Sequence, residues 1–327
     1  MTEREKLLES IASTVADYRA GEITAPTPQH VDRWVKQFDA VVQLPLLREL
    51  NFVLRQTYFT KSKVTSFLRG LLKNEKLVGA EPCAFWNQVK FLRIQGGGRS
   101  QREMLSMLDS ILLEECGVAT AACGKDAKTF IYLDDVIFTG NRALKDLCAW
   151  VTSDAPKDAT VHVITIAFHR GGQFYAKNKI DEAAATAKKT IKLSWWRCAE
   201  LEDTKAHINT SDVLRPTSLP ADPLVQAYAE SLKYKPVLRH AGNRGEHEFF
   251  SSDEGRILLE QEMLMAGVKI RQMCPHLNVY QRPLGNMVLQ TLGFGSLIVT
   301  FRNCPNNAPL ALWAGDPWYP LFQRKTN

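Results

Sequence analysis

Residues 161–168 read Val-His-Val-Ile-Thr-Ile-Ala-Phe, a run whose β-branched and apolar side chains suit a strand covered on both faces. Such a strand needs a layer above and below it, and the flanking pattern supplies them. Leu144, Leu147, Cys148 and Val151 mark a helix before it, and a second helix is expected over 174–188. Further strands are expected at 85–94, 130–134 and 190–195. Repeated strand–helix units of this length predict a parallel sheet with helices on both faces. Ligands of such sheets bind beyond the carboxyl ends of the strands.

The flanks differ from this α/β core at 79–215. Residues 1–78 read as helical: Thr27-Pro28 pairs a capping residue with proline at the first helical position, and Val31, Trp34, Val35 and Phe38 then follow the spacing of one buried face. Residues 216–327 read as an α+β extension, broken by Pro216, Pro220, Pro223 and Pro236. In it Ser251-Ser252-Asp253-Glu254 opens a helix that Gly267 is expected to end, and 295–301 reads as a strand.

Composition excludes the extreme classes. A hydrophobic fraction of 45% and a charged fraction of 23% are those of an ordinary globular chain. No apolar run reaches bilayer length, and Met1-Thr2-Glu3-Arg4-Glu5-Lys6 lacks the apolar stretch of a signal peptide, so a cytoplasmic protein is expected. The net charge of +6 favours anionic partners or is a spread of solvated lysines. Two basic clusters stand out: Lys188, Lys189, Lys192 and Arg197, and Lys233, Lys235, Arg239 and Arg244. Neither has the aromatic-glycine pattern of an RNA-recognition module, so nucleic acid is not signalled as a partner. The seven cysteines include no CxxC pair, and reduced core thiols are expected.

The segment 131–142, Ile-Tyr-Leu-Asp-Asp-Val-Ile-Phe-Thr-Gly-Asn-Arg, carries the chemistry. An apolar strand runs into the carboxylates Asp134 and Asp135, and a Thr-Gly turn leads into a helix. Carboxylates at a strand's carboxyl edge can accept hydrogen bonds from ribose hydroxyls. Backbone N–H groups at the helix N-terminus favour a phosphate monoester. A second candidate is Gly96-Gly97-Gly98-Arg99-Ser100-Gln101, where glycines let the backbone approach an anion and Ser100 with Glu103 forms a capping-box signature. It lacks the Gly-Lys-Ser/Thr of a P-loop, and a plain flexible connection is the competing reading. A third is Arg302, Asn303, Asn306 and Asn307 with Trp313 and Trp318. These either form a hood that stacks on an acceptor or shape turns over packed tryptophans. His169-Arg170-Gly171-Gly172, just past a strand, is within reach of the site, and its histidine is read either as an acid or base or as a satisfied surface residue.

The 131–142 segment closely resembles the phosphoribosyl-diphosphate (PRPP) motif of type I phosphoribosyltransferases. The resemblance implies a phosphoribosyltransferase-like α/β core in which Asp134 and Asp135 hold the ribose hydroxyls, directly or through water and Mg²⁺. It implies that Thr139, Gly140 and Asn141 cradle the 5′-phosphate, and that a loop after an earlier strand, compatible with Gly98, Arg99 and Ser100, binds pyrophosphate. Arg142 departs from the pattern, standing where many members have a small hydroxyl residue; it either adds a charge-assisted phosphate contact or points to solvent. The N-terminal helices with Trp34 and Phe38, the Gly-Arg-Ser-Gln stretch and the terminal Arg-Asn-Cys-Pro-Asn-Asn segment are similar to phosphoribosyltransferase-like proteins of bacterial conflict systems. That likeness implies an effector role in antiphage defence beside an ATPase or reverse-transcriptase (retron) partner. A ligand-sensing subunit without catalysis and a nucleic-acid-binding scaffold are the alternatives.

Overall fold

In chain order the elements are α1 (Glu3–Thr14), α2 (Pro28–Val35), α3 (Ala40–Thr57), β1 (Tyr58–Phe59), α4 (Lys61–Leu72), α5 (Glu75–Val78), α6 (Pro82–Gln88), β2 (Lys90–Phe91) and α7 (Ser100–Cys116). There follow β3 (Thr129–Ile137), α8 (Asn141–Ser153), β4 (Asp158–His169), α9 (Arg170–Thr186) and β5 (Thr190–Leu201). The remainder holds α10 (Pro223–Glu230), α11 (Asp253–Met273), β6 (Gln281–Arg282), β7 (Gly285–Asn286), β8 (Val299–Thr300) and α12 (Leu310–Trp313). This computed structural model describes residues 1–125 and 127–325. No helix among them is long and apolar enough to cross a membrane.

By its contacts the chain divides into two units: Met1–Lys61 with Glu202–Asn327, and Ser62–Leu201. These boundaries differ from 78 and 215, because the two terminal segments share one hydrophobic core.

The second unit carries the parallel sheet, in the order β2-β3-β4-β5. Phe130, Tyr132, Val161 and Val163 of the sheet pack with Leu147 and Trp150 of α8 and Ala176 and Ile180 of α9. The strand expected at 85–94 is mostly absent. Pro82 sits in the first helical turn of α6, where its missing N–H costs nothing, and only Lys90 and Phe91 pair with β3. Trp86, fully buried on α6, stacks on Phe91 at 6.0 Å. β3 also runs further than expected, because β4 continues beside it and pairs Val136 with Ala167 and Ile137 with Phe168.

The expectation of reduced thiols is corrected at one pair. Cys83 and Cys116 form a disulfide with a Cα separation of 5.4 Å. It ties α6 to the end of α7 and closes a loop that holds β2, the glycine-rich segment and all of α7. Cys83→Ser is expected to cost about 2–4 kcal/mol in the oxidised protein, mainly through the freer unfolded chain. The urea midpoint should fall, and reductant should bring the wild type to the same value. An unchanged midpoint would show that the bridge is not made.

In the first unit the sequence signals at α2 are realised: the Thr27 hydroxyl accepts from His30 N–H at 3.2 Å, and Val31, Trp34 and Val35 are fully buried. Trp313 and Trp318 are buried too, their indole N–H groups donating to the carbonyls of Ala308 and Ala311. α11 does not end at Gly267. It runs on to Met273, and a Cβ on Gly267 would lie 2.5 Å from the Pro283 carbonyl oxygen, so this glycine serves close packing. The strand expected at 295–301 shrinks to Val299–Thr300, paired in parallel with Tyr58–Phe59. Upstream, Gly295 takes a φ of +81° and its N–H donates to the Leu284 carbonyl, so the backbone there serves a turn.

One of the two basic clusters is also reassigned in part. Arg239 is buried and its guanidinium is bound by Glu260, which also holds the buried Arg256. In the other cluster, Lys189 donates to the Val151 carbonyl and Arg197 pairs with Glu200.

Candidate functional site

Asp134 and Asp135 lie within β3, three and two residues before its end, rather than at its last position and just past it. Each carboxylate accepts from the next backbone N–H: Asp135 N–H reaches Asp134 Oδ1 at 2.9 Å, and Val136 N–H reaches Asp135 Oδ1 at 2.7 Å. Asp134 is 5% exposed and Asp135 is half-buried. Successive residues of a strand face opposite ways, so the two acids leave the sheet on different sides.

Asp134 shares its side with Tyr132, two residues earlier and fully buried. The Tyr132 hydroxyl stands 3.4 Å from Asp134 Oδ2 and 3.2 Å from Asp146 Oδ2 of α8. Its one proton can serve a single carboxylate at a time. Burial, then the charges of Asp134 and Asp146, push this phenol far above its ordinary range, so it remains a donor.

The glycine-rich loop joins this group. Gln95 Nε2 donates to Ser100 Oγ at 2.8 Å and lies 3.4 Å from Asp134 Oδ2, and Gly96 N–H points at Asp146 Oδ1 at 3.4 Å. Gln101, 2% exposed, pins the base of the loop by accepting from the N–H groups of Ile94 and Gln95 at 2.9 and 3.2 Å. The capping box expected at Ser100 is not formed. Arg99 is the N-cap of α7 and its guanidinium has no acceptor to offer, Ser100 is already the first helical residue with its hydroxyl accepting from Gln95, and the Gln101 N–H donates to Gln95 Oε1 at 3.2 Å. Gly98, with a φ of +85°, turns the chain into that helix.

Arg142 makes a third contact. From the first turn of α8 the exposed Arg142 side chain donates through Nη1 to the Gly97 carbonyl. It ties the start of α8 to the glycine-rich loop. Those two helix starts, and the carboxylates between them, therefore share the carboxyl edge of β2 and β3.

The turn Phe138–Thr139–Gly140 is shaped by a neighbour. Gly140 is the N-cap of α8 with a φ of +78° and no side-chain cap, and a Cβ there would lie 2.2 Å from the Gly172 carbonyl oxygen. A Cβ on Gly172, in the first turn of α9, would lie 1.9 Å from the Phe138 carbonyl oxygen and 3.0 Å from Gly140 N. Two glycines thus let the turn rest directly on backbone. Asn141 is the first residue of α8 and is exposed. His169, read as an acid or base or as a surface residue, is instead fully buried, with Nδ1 3.2 Å from the Ile137 carbonyl oxygen and its ring beside Phe138. The 169–172 segment is the seat of the turn.

Arg302, Asn303 and Asn306 belong to the other unit. There Asn303 is bound at both ends of its amide by the backbone of Lys325, and the Asn306 carbonyl accepts from Asn286 N–H at 2.7 Å. Both contacts tie this segment to parts of the same unit that are distant in sequence. A cavity of about 520 Å³ lined by Asn87, Gln88, Lys125, Lys128 and Thr129 lies at the opposite, amino edge of the sheet, away from the carboxylates.

Sequence reasoning assigned no role to Tyr132, Asp146 or Gln95, and placed Gln101 in the glycine-rich candidate only as the end of that segment. Tyr132 had a visible signal, a lone hydroxyl two residues before an acid on an otherwise apolar strand. Asp146 had none, since its role comes from how α8 lies on the sheet.

The chain belongs to the PRTase-CE family, whose model matches residues 31–324, and is a phosphoribosyltransferase-like protein of mixed α/β fold with a parallel sheet. No curated protein matches it. No solved structure matches it.

Proposed function

We propose that this protein binds PRPP, or a related ribose phosphate, with Mg²⁺ and transfers or hydrolyses at ribose C1. One observation carries the reading: two carboxylates and the starts of two helices, whose N-cap residues Arg99 and Gly140 make no side-chain cap, meet at one edge of a parallel sheet, although at α7 the Gln101 N–H is already taken by Gln95 Oε1 at 3.2 Å. A dianionic phosphate suits such N–H groups, which lack partners within the helix and carry the positive end of its dipole.

In this reading Thr139, Gly140 and Asn141 hold the 5′-phosphate at the start of α8. Asp135, the more exposed acid, accepts from the ribose hydroxyls, with Asp134 behind it. Gly98, Arg99 and Ser100 at the start of α7 take the pyrophosphate. Asp134 and Asp135 also offer the hard carboxylate oxygens that suit Mg²⁺, directly or through water. When bound, Mg²⁺ would neutralise charge on the departing pyrophosphate. Arg142 acts at one remove, holding the glycine-rich loop in place.

A sensing subunit without turnover is the second reading. It is favoured by Asp134, whose oxygens already face Gln95, Tyr132 and Asp135 N–H in a nearly closed setting. Either activity would suit an antiphage effector paired with an ATPase or a reverse transcriptase.

Calorimetry with PRPP and Mg²⁺ tests the site. Saturable, Mg²⁺-dependent binding is expected, weakened about 10- to 100-fold by Asp135→Asn through loss of charge-assisted hydrogen bonds. Pyrophosphate release in the presence of a cell extract separates the enzyme from the sensor. Binding that ignores Mg²⁺ and the substitution would overturn both, and salt-sensitive binding of nucleic acid in its place would favour the scaffold.

A further inference from the structure

A second constellation lies wholly in the other unit and is independent of the ribose-phosphate reading. We propose that Glu202, His207 and Glu246 form a binding site for a first-row divalent cation of the Zn²⁺ class. One oxygen from each carboxylate and one imidazole nitrogen lie within 4.8 Å of one another. Donor atoms of a shared ion, each about 2.0–2.2 Å from it, need that kind of convergence.

The backbone brings these three side chains together from separate segments. Glu202 follows β5 directly, and its carboxylate is 1% exposed. Thr204 N–H donates to Glu202 Oε1 at 2.6 Å, which turns the carboxylate's other oxygen toward His207, whose Nδ1 is 3.0 Å from Oε2. A 3₁₀ turn at Lys205–His207, closed by His207 N–H to the Thr204 carbonyl, folds the histidine back over the glutamate. Glu246 arrives from a distant loop, fixed by its N–H donating to the Thr210 carbonyl at 2.7 Å.

A second layer holds the first. Asp212, fully buried at its side chain, accepts from Glu202 N–H at 2.7 Å and from both the N–H and Nδ1 of His247, at 3.0 and 2.7 Å. The Asp212 N–H donates back to the Glu202 carbonyl at 2.7 Å. Outer partners of this kind fix ligand orientation in metal sites. His207 and Glu246 are exposed, so the ion has an entry path and room for water as a further ligand.

The donor set decides the metal. Mixed carboxylate and imidazole donors suit Zn²⁺ and its first-row neighbours, while Mg²⁺ and Ca²⁺ favour oxygen alone. The competing state is the His207–Glu202 contact at 3.0 Å standing by itself with no metal.

The full-length protein, stripped with chelator, should be titrated with Zn²⁺ by calorimetry, with Co²⁺ absorption as a second readout. One ion per chain is expected, undisplaced by excess Mg²⁺. His207→Gln and Glu246→Gln should each weaken it at least about 10-fold, and Co²⁺ should lose its bands. Both positions are exposed, so the metal-free variants should unfold as the wild type does. Absence of Zn²⁺ uptake, or uptake in both variants as strong as in the wild type, would overturn the site and leave only the His207–Glu202 contact.

Discussion

Gly172→Ala is expected to abolish ribose-phosphate binding, with affinity falling more than about 100-fold, and to cost the second unit about 2–3 kcal/mol. The added methyl would sit 1.9 Å from the Phe138 carbonyl oxygen and 3.0 Å from Gly140 N. Both neighbours are backbone, so neither can swing aside as a side chain would. The turn must lift off α9, and with it the N–H groups at the start of α8. Alanine gains roughly 1 kcal/mol over glycine in a helix, which offsets only part of this strain. Gly70→Ala is the matched control: it lies in α4 with nothing within 4 Å of its would-be Cβ, and should stabilise by about 0.4–1 kcal/mol. Urea denaturation and calorimetry with PRPP and Mg²⁺ read both variants. Full affinity in Gly172→Ala would show that the turn is not the phosphate cradle.

The largest loss of stability is expected from Glu260→Ala, about 3–5 kcal/mol in the first unit. The Glu260 carboxylate accepts from Arg239 Nε and Nη2, from Arg256 Nε at 2.8 Å and from Arg215 N–H at 3.0 Å. Both guanidiniums and the carboxylate are fully buried. Asp253 would still hold Arg239 at 2.7 Å, but Arg256 would lose its only carboxylate among these contacts. Stranding a buried cation is what makes the change severe, whereas the intact pair need not be worth much. Glu260→Gln keeps an acceptor and should cost less. A loss below about 1 kcal/mol in Glu260→Ala would mean that water reaches the two arginines.

How far the residues foretold this depends on the range of the interaction. The α2 face from Val31 to Phe38 and the alternation from β3 to β5 were readable, because period and capping are local properties of the chain. β2 was misread because Phe85, Trp86 and Phe91 are as apolar in a helix as in a strand, and Pro82 settled the matter only once α6 had formed. The acids were visible as a pair, yet their extent within β3 depends on β4 running beside them. The partnership of Cys83 with Cys116, the ion network around Glu260 and the seating of Gly140 on Gly172 join residues distant in sequence. Spacing says nothing about such pairs. Gly171-Gly172 was noticed, but as a segment within reach of the site rather than as the place where two backbones touch.

The interrupted layout of the first unit sets an order on synthesis. Tyr18 and Tyr58 are both synthesised well before Phe322, which packs against both rings. At ordinary translation rates that is a wait of about 13–50 s, during which the intervening Ser62–Leu201 stretch can complete its own contacts first. The core that residues 8–58 share with residues 214–322 can therefore be completed only after the intervening stretch has been made.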